Sequence, residues 1–160
     1  MTTSVREHPI PATWTVHAGR DAYLAENGFT LEAYDAAITP ATFLGLKLGV
    51  PNTPRHRWAI MRHDLHHVAT GYGTDLAGEA EISAWELRRG VKSLGLYTGS
   101  IVVSIVLLGV VVAPLRTWRA LRLPALKASL FTEADTGYEQ LLHLTVGELR
   151  AHLGVLEAGL

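Results

Sequence analysis

Cysteine is absent from this chain of 160 residues. Its absence excludes disulfide bonds, thiolate metal ligands and cysteine nucleophiles. Histidine gains in interest instead, because three of the eight histidines fall between positions 63 and 67. Any metal site in this protein must therefore be built mainly from imidazole and carboxylate groups.

Strand patterns are scarce as well, because no segment alternates convincingly between apolar and polar residues. Helix start and stop signals dominate the chain. The sequence predicts an all-α protein, a single-domain helical bundle with one long apolar helix and little or no β-structure. We expect residues 1–19 to form a loose N-terminal arm and residues 20–158 to form a single helical metal-binding domain.

The predicted helices follow from their capping residues. Thr53 and Pro54 form the clearest start, an N-cap followed by proline at the first helical position. The predicted elements are 31–37, a second start at Thr39-Pro40, 54 to about 70, about 76–90 after a cap at Thr74 or Asp75, about 94–113 ending near Pro114, 115–130 with a break at Pro124, 133–143 after Thr132, and a last helix opened by a capping box of Thr145 and Glu148.

Acidic residues are missing from positions 88–127, which contain seven basic residues. The segments before and after this block each carry a net charge of -4, so the whole chain reaches only -1. Nothing in that total predicts nucleic-acid binding. The basic block also contains the most apolar stretch of the chain, and this combination favours an anionic lipid surface or an amphiphile with an anionic head.

The main candidate for chemistry is the sequence His-Asp-Leu-His-His at positions 63–67. His63 and His67 are four residues apart and share one face of a helix, with Asp64 three residues before His67. A nearly opposite stripe is apolar and is expected to pack inward; it consists of Trp58, Met61, Leu65 and Val68. Imidazole and carboxylate ligands together suit zinc, iron or manganese.

Glu79 extends this cluster into a predicted four-ligand site. Glycines at positions 71 and 73 break the helix, so the next helix is able to run back beside it and bring Glu79 to the histidines. The predicted metal ligands are His63, Asp64, His67 and Glu79. Supporting candidates around the ligands are His66, Tyr72, Asp75 and Glu86, with Tyr72 and Asp75 as acid or base candidates in the turn. The competing interpretation is a polar helix face with a chance histidine cluster.

Three other metal patterns fit less well. The metalloprotease motif needs Glu directly after its first histidine, where this chain has Asp64. Di-iron bundles need Glu-x-x-His on two helices, and the sequence contains only Asp64-x-x-His67. Histidine-aspartate phosphohydrolases need further His and Asp ligands that are not clearly placed here.

The spacing His-Asp-x-x-His, eleven residues, then Glu resembles the fourth protein of the coenzyme Q (ubiquinone) biosynthesis pathway and its bacterial relatives. The matching residues are His63, Asp64, His67 and Glu79. Weaker similarity includes the segments 52–54 and 146–154, and the likeness covers most of residues 20–155. This chain is short for the family, and its central segment is unusually apolar.

The resemblance implies a mostly helical protein that holds zinc or a similar divalent ion at the four motif residues. The family acts on a polyprenylated benzoquinone precursor, at the step that removes the ring carboxyl and installs oxygen. It also associates with membranes and with other enzymes of the quinone pathway. The implied activity is that of a metal-dependent oxidative decarboxylase or lyase. The alternative is a non-catalytic lipid-binding carrier or scaffold with a structural metal, and a homodimer stays open.

Residues 94–115 contain no charged side chain and are long enough to span a bilayer. A span would separate the metal motif from residues 116–160, although both halves resemble one family. We therefore expect a cytoplasmic protein with peripheral membrane association, in which this helix is buried or half-inserted and walls a tunnel for a prenyl tail; a single-pass span is the alternative. The residues expected to meet lipid headgroups are Arg116, Trp118, Arg119 and Arg122, with a solvated basic face as the competing interpretation.

Overall fold

The structure, a computed structural model, describes residues 10–43, 46–123, 127, 129–132 and 137–155. Within these residues the chain forms seven α-helices and one two-stranded hairpin. The elements are α1 (Val16–Asn27), β1 (Ile38–Phe43), β2 (Leu46–Pro51), α2 (Pro54–Thr70), α3 (Leu76–Arg89), α4 (Gly95–Val112), α5 (Pro114–Arg122), α6 (Tyr138–Leu142) and α7 (Val146–Leu153). Short 3-10 helices lie at Leu31–Tyr34, Lys92–Leu94 and Leu130–Thr132. The mostly helical fold with one long apolar helix is confirmed.

The helix start predicted at Thr39-Pro40 is wrong, because these residues belong to strand β1. Strands β1 and β2 pair antiparallel, with Pro40 opposite Gly49. Proline fits the first turn of a helix, but it also fits an edge strand, where one side of the backbone needs no partner. In a two-stranded hairpin both strands are edges, which is the position where a strand tolerates proline.

Helix α2 lies at the centre of the fold. The Thr53 side chain caps it by accepting a hydrogen bond from the His56 N–H, and it ends before Gly71, whose φ of 78° closes the helix. Every residue from Asp64 to Thr70 is buried, since α1, α3 and α7 all contact this helix. The predicted inward stripe is therefore buried at Leu65 and Val68, whereas Trp58 and Met61 nearer the start of α2 are only half-buried.

The segment before α1 and the end of α2 are both tied to the C-terminal helix α7. The Val146 N–H donates to the Trp14 carbonyl, and Arg150 donates from Nε to the Ala69 carbonyl and from a terminal nitrogen to the Ile10 carbonyl, both at 2.9 Å. The boundary predicted after residue 19 thus coincides with no structural break, because it falls inside α1. Residues 1–9 of the predicted arm lie outside the described residues.

Helices α4 and α5 both pack against α3. Gly109 makes this possible: a Cβ at this position would lie 2.3 Å from the Ala80 Cβ and 2.6 Å from the Thr117 hydroxyl. Such distances are too short for any side chain, so only glycine lets the three helices meet at this point. The corner between α4 and α5 is consequently fixed on the first turn of α3.

The later helix predictions are confirmed in part. Helix α4 ends at Val112 and Pro114 starts α5, as the proline signal indicates. Helix α5 ends at Arg122, well before residue 130, and the predicted break at Pro124 lies outside the described residues. Thr132 ends a short 3-10 helix and donates its hydroxyl to the Ser129 carbonyl.

The capping box of α7 is present with both of its hydrogen bonds, between Thr145 and Glu148. The core joins α1, α2, α3, α6 and α7. Its fully buried apolar side chains include Val16, Leu65, Ile82, Trp85, Leu130, Val146, Leu149 and Leu153.

Candidate metal centre

Three ligand atoms converge between α2 and α3. The Nε2 atoms of His63 and His67 lie 3.1 Å apart, and the Glu79 carboxylate approaches them at 3.3 Å and 3.5 Å respectively. Metal–ligand bonds of about 2.0–2.1 Å at tetrahedral angles place neighbouring ligand atoms roughly 3.3 Å apart. Each spacing is close to that value, although Glu79 makes its two contacts through different oxygens, Oε2 to His63 and Oε1 to His67. The group therefore has the dimensions expected for ligands of one ion.

The turn between α2 and α3 positions Glu79. The Asp75 side chain caps α3 by accepting a hydrogen bond from the Gly78 N–H at 2.8 Å. A Cβ on Gly78 would lie 2.2 Å from the Gly73 carbonyl oxygen, so the tight approach of the turn to α3 requires glycine here. This close return places the first turn of α3, and hence Glu79, opposite the histidines.

Glu86 fixes the orientation of His63. The Nδ1 atom of His63 lies 2.8 Å from Oε1 of Glu86, and a carboxylate accepts, so Nδ1 carries the proton and donates. The lone pair on Nε2 is then directed at the convergence point. In metal sites, a ligating histidine usually donates a hydrogen bond from its other ring nitrogen to a carboxylate. That hydrogen bond sets the tautomer and increases the basicity of the ligand nitrogen.

His67 is fixed in the same sense by a different partner. Its Nδ1 atom donates to the Tyr72 carbonyl at 2.9 Å, so its Nε2 also presents a lone pair. The Tyr23 ring stacks on the imidazole with ring centroids 5.3 Å apart. Two lone pairs facing each other across 3.1 Å repel unless a proton or a cation lies between them, and this arrangement suits a metal ion.

His66 connects the site to a distant segment. The backbone N–H of Leu130 donates to Nε2 of His66 at 3.1 Å, so Nδ1 is the donor toward Glu86, at 2.7 Å. Glu86 Oε1 therefore accepts from both His63 and His66. All of His66 and Glu86 is buried, which gives this carboxylate an entirely internal role.

Asp64, the fourth predicted ligand, does not belong to the convergent group. Its Oδ2 accepts a hydrogen bond of 2.5 Å from the Tyr34 hydroxyl, and both residues are buried. The structure therefore brings together three of the four predicted ligands and sets Asp64 beside them. The sequence offered no signal for Tyr34, which lies 30 positions upstream in a short 3-10 helix.

Charge at the site favours a cation. Burial opposes ionisation of Glu79 and Glu86, but the histidines beside them lower both carboxyl pKa values, that of Glu86 to about 2. Burial opposes a charge on His63, yet Glu86 and Glu79 raise its pKa well above the usual value. The pKa of Asp64 is raised by burial, and that of His66 is lowered by burial. Without a metal, the raised pKa of His63 places its second proton on Nε2 beside Glu79, and a bound cation would take the place of that proton next to the two ionised carboxylates.

The centre is partly open to solvent. The side chains of His63 and Glu79 are 22% and 29% exposed, whereas that of His67 is fully covered. An ion held by these three residues would have an accessible side for water or substrate, which is the feature that distinguishes catalytic from structural zinc sites. The donor set, the tautomers and the charge all fit a divalent ion such as zinc, held by His63, His67 and Glu79.

The remaining predicted residues take other places. Tyr72 contributes its backbone carbonyl to His67, and Asp75 acts as the cap of α3. Arg116 donates to Glu81 at 2.6 Å on the α3 side of α5, so it does not share the outward face of Trp118, Arg119 and Arg122.

Comparison of the chain with protein families, with characterised proteins and with solved structures gave no match.

Proposed function

We propose that this protein is a metal-dependent enzyme of the ubiquinone-biosynthesis type, acting on a polyprenylated benzoquinone precursor in ring decarboxylation with hydroxylation. The observation that carries the proposal is the three-ligand group with both histidine tautomers fixed and one side open. The motif spacing from His63 to Glu79, which resembles that family, supplies the substrate class. Other enzymes of the quinone pathway are the proposed partners, and the proposed location is the cytoplasmic side of a membrane.

A divalent ion bound here would supply Lewis acidity toward a ring oxygen, or would activate water or dioxygen. The residues of the chain itself would hold the ion and orient its ligands. Glu86 and the Tyr72 carbonyl keep the two Nδ1 protons away from the centre, and Glu79 supplies negative charge. Asp64 and Tyr34 form a buried hydrogen-bonded pair beside the ligands.

The test is metal content together with product analysis. We expect native mass spectrometry of the wild type to show one divalent ion per chain, and His67→Ala and Glu79→Ala to lose it. His17→Ala removes an exposed histidine of α1 and serves as the matched control. With a prenylated hydroxybenzoate, water as the oxygen source and dioxygen as the two-electron acceptor, the wild type should release carbon dioxide and hydrogen peroxide and form a product in which a hydroxyl group replaces the ring carboxyl. Unchanged metal content in both site variants would refute the metal centre, and a metal-loaded but inert protein would refute the reaction.

A carrier or scaffold with a structural metal is the second candidate. This function is favoured by the position of the candidate ligands on both α2 and α3, because a bound ion would cross-link the two helices. Chelation separates the two functions, because the binding energy of a structural metal is folding energy. A large fall in Tm on chelation, with no turnover of the loaded protein, would favour the carrier.

A further inference from the structure

Helix α4 is buried on one side and exposes aliphatic side chains on the other. Its buried positions, Thr98, Val102, Val106 and Gly109, follow one helix face. The opposite face is exposed, and it includes Leu96 at 96%, Leu107 at 63% and Val111 at 77% exposure. Two serines interrupt this face, but the Ser100 hydroxyl already donates to the Tyr97 carbonyl of its own helix. An aliphatic surface of this length is unusual for a protein that stays monomeric in water.

Helix α5 continues the same surface and adds positive charge. Thr117 and Ala120 are buried, while Leu115, Trp118, Arg119 and Arg122 are exposed together. The Arg122 guanidinium lies 5.1 Å from the centre of a Trp118 ring. Helices α4 and α5 both pack against α3 and also contact each other, so their exposed faces lie away from α3 on two adjacent helices. Arg88 and Lys92 are exposed near the other end of α4.

The packing of α4 favours contact with one side of a bilayer. Residues Lys92–Val112 are long and apolar enough to cross a membrane by length and composition, with a mean hydropathy of 2.3 and 22% of the span buried. However, α4 is held against α3 along the face that contains Gly109, and α5 folds back onto α3 through the Arg116–Glu81 pair. A helix surrounded by lipid would lose these contacts. The sequence also predicted that this helix walls a tunnel for a prenyl tail. The outward side chains of α4 are exposed, so they do not form such a tunnel.

We propose that the outward faces of α4 and α5, which we call the α4–α5 surface (Leu96, Val103, Leu107, Val110, Val111, Leu115, Trp118, Arg119 and Arg122), dock the protein on an anionic lipid bilayer. The aliphatic side chains enter the acyl boundary, and the arginines beside Trp118 meet the headgroups, as in helices that lie in the membrane interface. Gly109 in α4 contacts Ala80, next to the ligand Glu79, so the docked surface lies behind the same turn of α3 that supplies a metal ligand. The proposal requires no metal and goes beyond the proposed reaction.

Vesicle flotation of the full chain tests this. We expect binding to vesicles of equimolar phosphatidylcholine and phosphatidylglycerol, and at least about tenfold weaker binding to pure phosphatidylcholine. Leu107→Asp should reduce binding at least about tenfold, because it puts a charge where an aliphatic side chain enters lipid. Arg119→Gln and Arg122→Gln should each reduce it about fivefold. Leu31→Asp makes the same change at a half-exposed leucine outside the surface and should bind as the wild type does.

Other occupants of the surface give different results. A wild type that floats with neither kind of vesicle, or a Leu107→Asp variant that floats unchanged while its circular dichroism is native, overturns the proposal. A stable dimer in sedimentation velocity that Leu107→Asp converts to monomer, without vesicle binding, would identify a second copy as the occupant. Retention in membranes at alkaline pH would identify a span. The His67→Ala variant should still float, which separates this proposal from the metal centre.

Discussion

Helices α2 and α3 bury ionisable side chains, whereas helices α4 and α5 expose aliphatic ones. Every buried imidazole and carboxylate named at the α2–α3 site has a hydrogen-bond partner within the chain, including His66 and Glu86, which no solvent reaches. The exposed leucines and valines of α4 have no corresponding cover among the described residues. Helices α2 and α3 thus give their buried ionisable side chains partners within the chain, with only Oε2 of Glu86 left without a hydrogen bond among the atoms of this group, whereas α4 and α5 leave aliphatic side chains exposed.

The two helix pairs also differ in how their helices begin, because α2 and α3 have side-chain caps and α4 and α5 do not. Thr53 and Asp75 cap α2 and α3 with side-chain oxygens. These caps fix the first turn of α2, which precedes His63 and His67, and the first turn of α3, which contains Glu79. Leu94 and Ala113 stand at the corresponding positions of α4 and α5 and offer no side-chain acceptor. Local hydrogen bonding thus defines the metal centre more tightly than it defines the exposed surface.

The largest effect is expected from Glu86→Ala. Removing this carboxylate leaves His63 and His66 without their shared buried acceptor, and the free energy of unfolding should fall by about 3–5 kcal/mol. The milder Glu86→Gln should keep the fold and weaken metal binding about 10–100-fold. Urea denaturation and competition with a metal indicator measure the two effects. Glu81→Ala, on the same helix but paired with Arg116, should cost about 1 kcal/mol or less; equal losses at both positions would contradict an internal role for Glu86.

Two glycines of α4 are expected to respond with opposite signs. Gly109→Ala places a methyl group against Ala80 and should destabilise the protein by about 1–2 kcal/mol, because overpacking exceeds the gain in helix propensity. Gly99→Ala meets nothing within 4 Å and should stabilise the protein by about 0.5–1 kcal/mol. Thermal unfolding monitored by circular dichroism gives both signs. Stabilisation by Gly109→Ala would show that α4 does not pack closely on α3.

The smallest expected effect is loss of a helix cap. Thr53→Ala removes the acceptor for the His56 N–H and should lower the free energy of unfolding by about 1 kcal/mol. Ser100→Ala removes a hydroxyl that bonds only its own helix on the exposed side of α4, and should change stability by less than about 0.5 kcal/mol. Denaturant titration of both variants measures this contrast. A larger loss from Ser100→Ala would mean that α4 depends on its polar groups as α2 does.

The candidate metal centre could be predicted from the sequence to the extent that it depends on local rules. Helical spacing correctly paired His63 with His67, and the glycine break correctly returned Glu79 to them. Asp64 shows where this reasoning ends, because its position on α2 turns it toward Tyr34 instead. No spacing rule connects residues that meet only through tertiary packing, so Tyr34 and the Leu130 amide could not be found in advance.

The fold shows the same limit. Caps and glycines located α2 and α7 well, since their hydrogen bonds are formed within a few residues. Thr39-Pro40 fits both a helix start and an edge strand, and only the pairing with β2 decides between them. Arg116 was grouped with Arg119 and Arg122 by its three-residue spacing. The helix rotates a full turn in 3.6 residues, so this spacing drifts around α5 and turns Arg116 toward Glu81.

The contacts of Arg150 have a consequence for the order of events during synthesis. This one side chain donates hydrogen bonds to the Ala69 carbonyl at the end of α2 and to the Ile10 carbonyl before α1, over sequence separations of 81 and 140 residues. A growing chain that has released α3 already contains all three ligands, but it lacks the guanidinium that ties the end of α2 to the N-terminal segment. Such distant closures come late, because the chain must first pay their loop entropy. The end of α2 therefore gains this tie to the N-terminal segment only after α7 has been synthesised.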